Sequence, residues 1–244
     1  MQEFKDQCEI IDQGIKRIDS VQNTSSLIDG VIDPDAYLIS KYKVLWILKE
    51  PYDDFDENGN PQSEGWDYRK DLRENLYAYK AYATWRRIAY TSYAILNDCA
   101  YDDMDDLRKD ENVNDTVFDT VKSIAFINVK KVAGGKSTLP MNLRNAYLLN
   151  KELLLKQIEV YKPDVVIGGG TMPLFLKDLN LEEYKEEGNN LKYYIKESRV
   201  YIDAYHPSYP KGGLQEEEYV DDIAGVVKAT RNRLDKVTQN IESL

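Results

Sequence analysis

The chain contains a single histidine, His206, and only two cysteines, Cys8 and Cys99, among its 244 residues. One imidazole excludes a metal site with two histidine ligands, and two thiols are too few for an iron–sulfur cluster or a four-cysteine zinc site. No apolar stretch approaches the roughly 18 residues of a membrane helix. We therefore expect no metal, no other cofactor and no membrane partner.

The N-terminus lacks the pattern of a signal peptide, because Lys5, Asp6, Glu9 and Asp12 interrupt its first turns. This absence predicts a cytoplasmic protein. Basic residues are also scarce: 32 Lys and Arg against 43 Asp and Glu give a net charge of −11. Such a charge disfavours sequence-independent binding to nucleic acid, which draws on Lys and Arg contacts to phosphates, although it leaves room for a locally basic cleft.

Four short apolar runs predict strands, at 44–48, 123–127, 164–168 and 200–202. Continuous apolar runs indicate strands covered on both faces, as in parallel sheets. Segments with helical spacing alternate with these runs. The pattern predicts an α/β fold, namely a three-layer α/β/α sandwich with a short, mostly parallel four-stranded central sheet.

Two helices are indicated by spacing alone, one over 143–161 and one over 220–241. Cys8 shares the spacing of an apolar face on an N-terminal helix, which predicts that it lies in the core. With no internal repeat and no linker rich in Pro, Gly or Ser, we expect a single domain over 1–244. Its core spans about 43–230, and the N-terminal helix and a helical region at 60–115 elaborate it.

Three loops follow three of the predicted strands, at 49–61, 128–131 and 205–208. The carboxyl ends of parallel strands meet at one edge, where open α/β sheets bind their ligands. His206 lies in the third loop, and Pro207 biases it towards an extended backbone. Carboxylates, an amide and an imidazole together suit recognition of a polar heterocycle and stabilisation of charge that develops on it. The alternative for His206 is a histidine satisfied by hydrogen bonds at a strand end.

The order of these loops resembles the uracil-DNA glycosylase superfamily, especially the branch whose first motif is Gly-Glu-Ala-Pro-Gly. Four motifs carry the resemblance, which covers about 43–230: Pro51 with Gly59-Asn60-Pro61, Asn128-Val129-Lys130, the segment from Tyr161-Lys-Pro to Gly170, and His206-Pro207-Ser208. The resemblance implies hydrolysis of the N-glycosidic bond of uracil or a related damaged base in DNA, as in base excision repair.

The resemblance also implies roles for individual residues. His206 would donate to a uracil oxygen, Asn128 would read the edge of the base, and Asp53 or Asp54 would orient water or offset charge on the sugar. The remaining implied contacts are base stacking by Tyr52 or Phe55, and phosphate contacts by Ser208 and Lys211. Lys130 belongs with Lys211 to a candidate phosphate-binding rim.

The chain departs from the branch at several positions. Lys49-Glu50 stands where the branch has Glu-Ala, Gln62 replaces a stacking aromatic, and Tyr209 follows His-Pro-Ser where an apolar wedge is expected. These departures leave an alternative open, in which a catalytically altered protein of this fold binds a nucleotide or a protein partner.

Two features bear on that alternative. The run 134–138 reads Gly-Gly-Lys-Ser-Thr, but a phosphate-binding loop needs a glycine where Lys130 stands, so we interpret it as a chance match. Tyrosine is abundant, and an exposed patch of tyrosines is a common composition for an interface. Five tyrosines crowd one helical region: Tyr77, Tyr79, Tyr82, Tyr90 and Tyr93.

Overall fold

The computed structural model describes residues 1–22, 26–51, 66–108, 115–132, 134, 139–208 and 214–242. They form a mixed α/β structure, which confirms the predicted class. The helices are α1 (Gln2–Gln22), α2 (Pro34–Ile39), α3 (Tyr68–Glu74), α4 (Ala83–Asn97), α5 (Thr116–Asp119), α6 (Pro140–Tyr161), α7 (Met172–Phe175) and α8 (Glu216–Glu242). The strands are β1 (Gly30–Val31), β2 (Val44–Leu48), β3 (Ala125–Asn128), β4 (Val165–Gly169), β5 (Lys185–Glu187), β6 (Leu191–Lys196) and β7 (Arg199–Ala204).

The strands described form one sheet in the order β1-β3-β2-β4-β7-β6-β5. β3, β2, β4 and β7 run parallel to one another, and they correspond to the four predicted runs. The prediction of a four-stranded, mostly parallel sheet is nevertheless wrong. β1 adds an antiparallel strand at one edge and the β5–β6 hairpin adds two at the other, so that seven strands form a mixed sheet.

Alternation along the central strands divides the core into two apolar clusters, one on each face of the sheet. In β2, Trp46 points into one cluster and Leu45 and Ile47 into the other, and all three are fully buried. Burying an apolar side chain of this size contributes roughly 1.5–3 kcal/mol. The Trp46 indole still donates a hydrogen bond, to Ser92 Oγ at 3.1 Å. The central strands are continuous apolar runs because their side chains are buried on both faces of the sheet.

Helices provide that cover on both faces. α4 and α8 pack on the cluster that contains Trp46, whereas α1 and α6 pack on the cluster that contains Ile47. Cys8 of α1 lies in this second cluster with 6% of its surface exposed, which confirms the prediction that it is core. Burial and the Asp12 carboxylate raise the pKa of the Cys8 thiol to about 11.

The predicted helices at 143–161 and 220–241 are present as parts of α6 and α8. α6 begins at Pro140, whose fixed φ suits a first helical turn, and ends at Tyr161. Lys162, which follows, caps the helix with a left-handed φ of 47°. The next residue is a proline, which cannot continue a helix. No helix in the ranges described is both long enough and apolar enough to cross a bilayer.

The tyrosines around α4 divide between core and surface. Tyr90 is 1% exposed, and Tyr79 and Tyr93 pack partly buried against the same cluster. Tyr77 and Tyr82 are 48% and 58% exposed. The candidate interface patch therefore shrinks from five tyrosines to two.

Candidate functional site

The carboxyl ends of β2, β3, β4 and β7 lie at one edge of the sheet, and the chain leaves them through four neighbouring loops. β3 and β4 pair with opposite sides of β2, so the strand order reverses there. Open α/β sheets bind ligands outside the strand ends at such a reversal. The edge beside β2 and β4 is therefore the candidate site.

The loops after β2 and β3 are joined through their backbones. Val129 and Lys130 donate their N–H groups to the carbonyls of Leu48 and Lys49, each at 2.9 Å. Thr171, which follows β4, donates its hydroxyl to the carbonyl of Ile47 at 2.8 Å. These bonds fix the floor of the site on the ends of three strands.

The His206 loop is held from both sides by side chains of the covering helices. Tyr219 of α8 donates its hydroxyl to the carbonyl of Tyr205 at 2.9 Å. Arg87 of α4 donates to the carbonyl of Pro207 at 2.5 Å and lies 3.3 Å from the carboxylate of Glu216. His206 is thereby fixed at a strand end as the sequence predicts, but by partners that lie far away in the chain.

Hydrogen bonds to the imidazole define its tautomer. The backbone N–H of Ser208 donates to His206 Nδ1 at 3.2 Å, and Ser208 Oγ lies 2.7 Å from the same nitrogen. Because Nδ1 accepts, the neutral ring carries its proton on Nε2. Ser208 thus positions His206 as a donor through Nε2.

The imidazole is uncharged at neutral pH. Burial, with a smaller contribution from the ammonium of Lys49, lowers the pKa of His206 from 6.5 to about 4. A neutral N–H donor can stabilise a developing negative charge without first losing a proton. The geometry therefore suits hydrogen-bond donation better than general base catalysis near pH 7.

Lys49 and Gly170 complete the surroundings of His206. Gly170 has a left-handed φ of +71°, and a Cβ placed on it would lie 3.2 Å from Lys49 Cε and 3.7 Å from the backbone nitrogen of His206. Glycine adopts this φ without strain, and the Lys49 side chain passes close to the position that a Cβ would occupy. Across the described ranges, no carboxylate lies within salt-bridge distance of the Lys49 ammonium. Lys49 therefore adds positive charge beside a neutral donor.

Neither residue type nor spacing identified Lys49 as a site residue. The available signal was its position as the first residue after a predicted strand, at the edge where ligands bind. Its neighbour Glu50 forms an ion pair. Lys130 Nζ lies 3.0 Å from the Glu50 carboxylate, and the Glu50 side chain is 7% exposed. Lys130, predicted as a phosphate contact, is thus engaged in an ion pair.

Asn128 ends β3 as predicted, with 2% of its surface exposed. Its backbone N–H donates to Asp29 Oδ2 at 2.7 Å, and its side-chain nitrogen lies 3.4 Å from the same oxygen. Asp29 also pairs with Lys131 and accepts from Gln157. Asn128 therefore rests against a buried polar network, which sequence reasoning missed because Asp29 lies 99 positions away.

The structure brings His206 and Ser208 together after β7, and it places Asn128 and Lys130 at the end of β3, from which β2 and β4 separate β7. The other predicted site residues lie outside the described residues: Tyr52, Asp53, Asp54, Phe55 and Lys211. Nowhere in the described ranges do three or more His, Cys, Asp or Glu side chains gather in a way that could hold a metal ion.

Comparison of the chain with protein-family models finds no match, and comparison with curated proteins finds none either. Support for a function therefore comes from the sequence motifs and from the geometry of this edge of the sheet.

Proposed function

We propose that the protein hydrolyses the N-glycosidic bond of uracil or a related damaged base in DNA, as a divergent relative of the uracil-DNA glycosylases without an iron–sulfur cluster. One observation carries the proposal. His206, in the motif His-Pro-Ser, is a neutral imidazole whose Nδ1 is occupied by Ser208, so that Nε2–H is its donor. The four parallel strands of the sheet support the same proposal, because the motif segments begin at their carboxyl ends, along one edge of the sheet.

The reaction breaks the bond between C1′ of the sugar and the base nitrogen. The electron pair leaves with the base as an anion, and the sugar becomes an oxocarbenium ion that water then attacks, losing a proton. His206 Nε2–H would donate to the base oxygen on which negative charge develops. Lys49 would add a positive potential at the same place, and pre-placed donors of this kind contribute a few kcal/mol to transition-state stabilisation.

Asn128 would read the base. With its amide nitrogen directed to Asp29, its carbonyl oxygen is left to accept from an N–H of uracil. Asp53 or Asp54 would orient water or offset the sugar charge, and Tyr52 or Phe55 would stack on the base. These residues belong to the loop that begins at Lys49, so they would approach the same edge of the sheet.

DNA is the proposed partner despite the net charge of −11. Ser208 is exposed next to His206, and Lys49 has its charge at the same edge. A local donor set can contact one or two phosphates while the rest of the surface repels the duplex. Binding should therefore be weak overall and depend on an extruded or unpaired base.

The decisive experiment is single-turnover cleavage of a labelled oligonucleotide that carries one uracil paired with A, paired with G, or unpaired. Wild-type protein should release uracil, and His206→Ala should slow release by roughly 100- to 1,000-fold, the usual cost of one oxyanion donor. Lys49→Met should slow release less. Lys228→Met, which removes an exposed lysine of α8, is the matched control and should behave as wild type.

A second candidate is binding without cleavage, of a nucleotide or a protein partner. Two observations favour it. Lys130, which the sequence predicts as a phosphate contact, is paired with Glu50 instead. Tyr77 and Tyr82 are exposed side chains suited to an interface. Retention of the oligonucleotide without release of uracil, at an excess of wild-type protein, would reject hydrolysis and support binding. Release of uracil that persists unchanged in His206→Ala would reject the proposed site.

A further inference from the structure

The outward side of α6 carries exposed apolar side chains. Leu148 and Leu149, in the middle of the helix, are 60% and 64% exposed. Met141 in its first turn and Leu139, which precedes it, are exposed as well. Four of the eleven large apolar side chains exposed in the described ranges therefore lie along the first half of this one helix.

The opposite side of α6 is apolar too. Four side chains on that side are buried in the cluster that contains Ile47: Leu143, Tyr147, Leu154 and Ile158. A helix at a protein surface usually has one apolar stripe and a polar opposite side, and a helix that is apolar on both sides is covered on both. The exposed leucines of α6 therefore have the character of a contact face.

The exposed side of α6 has the spacing of a helix–helix contact. Five residues follow one another in alternating steps of four and three: Met141, Asn145, Leu148, Glu152 and Leu155. This spacing keeps side chains on one side of a helix, where a second helix packs along them. We call these five residues the α6 stripe. Leu148 is its central member.

Three of the five charged side chains of α6 are paired within the chain. Lys151 lies 3.1 Å from a carboxylate outside the helix, and Lys156 lies 2.9 Å from Glu159. The other two, Arg144 and Glu152, are exposed and form no ion pair in the part of the chain described. These two lie four positions before and four positions after the centre of the α6 stripe, so opposite charges are placed symmetrically about it.

We propose that the α6 stripe is the contact face of a symmetric dimer, in which α6 packs antiparallel against α6 of a second copy around a two-fold axis at Leu148. The two Leu148 side chains meet at the axis. Arg144 of each copy lies opposite Glu152 of the other, because antiparallel packing pairs positions that are equally far before and after the axis. The symmetry forms this ion pair twice.

The charges favour this occupant over others. Parallel packing of the same faces would place Arg144 opposite Arg144 and Glu152 opposite Glu152, and like charges in contact disfavour it. A two-fold contact requires each residue to face its symmetry mate, whereas contact with a different protein puts no such condition on the sequence. The surface of an anionic bilayer attracts clustered Lys and Arg, and the net charge of −11 disfavours it.

The dimer should be weak. One pair of helices buries less than the roughly 800 Å² per partner of a standard interface, so we expect a dissociation constant on the order of 10 μM. Sedimentation equilibrium over protein concentrations from about 1 to about 200 μM should therefore show a shift from monomer to dimer. The inference concerns association alone and does not depend on release of uracil.

A substitution at the axis tests the contact face. Leu148→Glu removes the central apolar contact and brings two carboxylates together, so it should weaken the dimer by roughly 100-fold or more. Ile39→Glu is the matched control, because it makes the same kind of change at an exposed apolar side chain of α2. It should associate as wild type does. Circular dichroism checks that both variants are folded.

Reversal of the two charges tests the symmetry. Arg144→Glu and Glu152→Arg should each weaken the dimer by roughly 10-fold, because each places like charges opposite one another. An equimolar mixture of these two variants should associate as strongly as wild type, since every contact then joins opposite charges. The double variant, which exchanges the two charges, should also recover wild-type association.

Several outcomes would overturn the inference. They are a wild-type protein that stays monomeric over the whole range, a Leu148→Glu protein that dimerises as wild type does, and charge reversals that no mixture or double variant rescues. Co-sedimentation of a monomeric wild-type protein with phosphatidylcholine vesicles, lost in Leu148→Glu, would instead assign the face to lipid.

Discussion

Lys131 places its ammonium 2.7 Å and 2.9 Å from the two carboxylate oxygens of Asp29, and both side chains are buried. Gln157 bonds to both partners, accepting from Lys131 at 2.7 Å and donating to Asp29 at 2.9 Å. Burial lowers the pKa of Lys131, and the charge of Asp29 opposes this change. The pair lies beneath Asn128, so the stability of the fold and the floor of the site depend on the same carboxylate.

Replacing Asp29 with Asn should therefore destabilise the protein strongly. The change leaves the Lys131 charge buried without a counter-ion, and breaking a buried pair in this way costs about 3–5 kcal/mol in the free energy of unfolding. Urea unfolding followed by circular dichroism measures the difference. Asp35→Asn is the control, because Asp35 pairs with Lys5 at the surface and should cost about 1 kcal/mol or less. Equal losses in the two variants would contradict the buried-pair assignment.

The central sheet could be predicted from sequence because its strands are continuous apolar runs. β5 and β6 could not, since all three residues of Lys185–Glu187 are exposed and β6 mixes lysines with tyrosines. Their pairing depends on β7 as an edge, which no local pattern encodes. β1 comprises two residues and is too short to have a period.

The residues of the candidate site also divide into those that could be predicted from sequence and those that could not. His206 and Ser208 could be predicted because they are two residues apart in one loop. Asp29, Arg87 and Lys131 could not, because charged residues are usually exposed. Here Asp29 and Lys131 are buried and Arg87 is half-buried, each against partners distant in the chain. Tertiary contact, rather than local spacing, decides which charges lie at the site.

The single histidine allows a direct test of its protonation. Proton NMR should give one set of imidazole signals, with a titration midpoint near the pKa of about 4 rather than near 6.5. Lys49→Met should raise the midpoint only partly, because burial is the larger cause and the lysine charge the smaller. A wild-type midpoint at or above 6.5 would show that the ring is solvated or paired with a carboxylate.

The same pKa makes folding stability depend on pH. The unfolded chain binds a proton at His206 below pH 6.5, whereas the folded chain does so only near pH 4. Between these values the unfolded state holds more protons, so the free energy of unfolding falls as the pH falls. His206→Asn should remove this part of the slope and leave the carboxylate contribution unchanged. Urea unfolding at intervals from pH 7 to pH 4.5 compares the two proteins, and parallel curves would contradict the depressed pKa.

Two glycine-to-alanine changes separate backbone strain at the site from ordinary helix propensity. Gly170→Ala forces a left-handed φ of +71° on alanine and pushes its Cβ to 3.2 Å from Lys49 Cε. The conformation alone should cost about 1 kcal/mol, and the displaced lysine should slow uracil release further. Gly225→Ala, in α8 with nothing within 4 Å of the added Cβ, should instead stabilise the protein by roughly 0.5–1 kcal/mol. Urea unfolding and single-turnover release are measured on both variants. A Gly170→Ala protein that is as stable and as active as Gly225→Ala would show that Lys49 does not pack over the Gly170 backbone in solution.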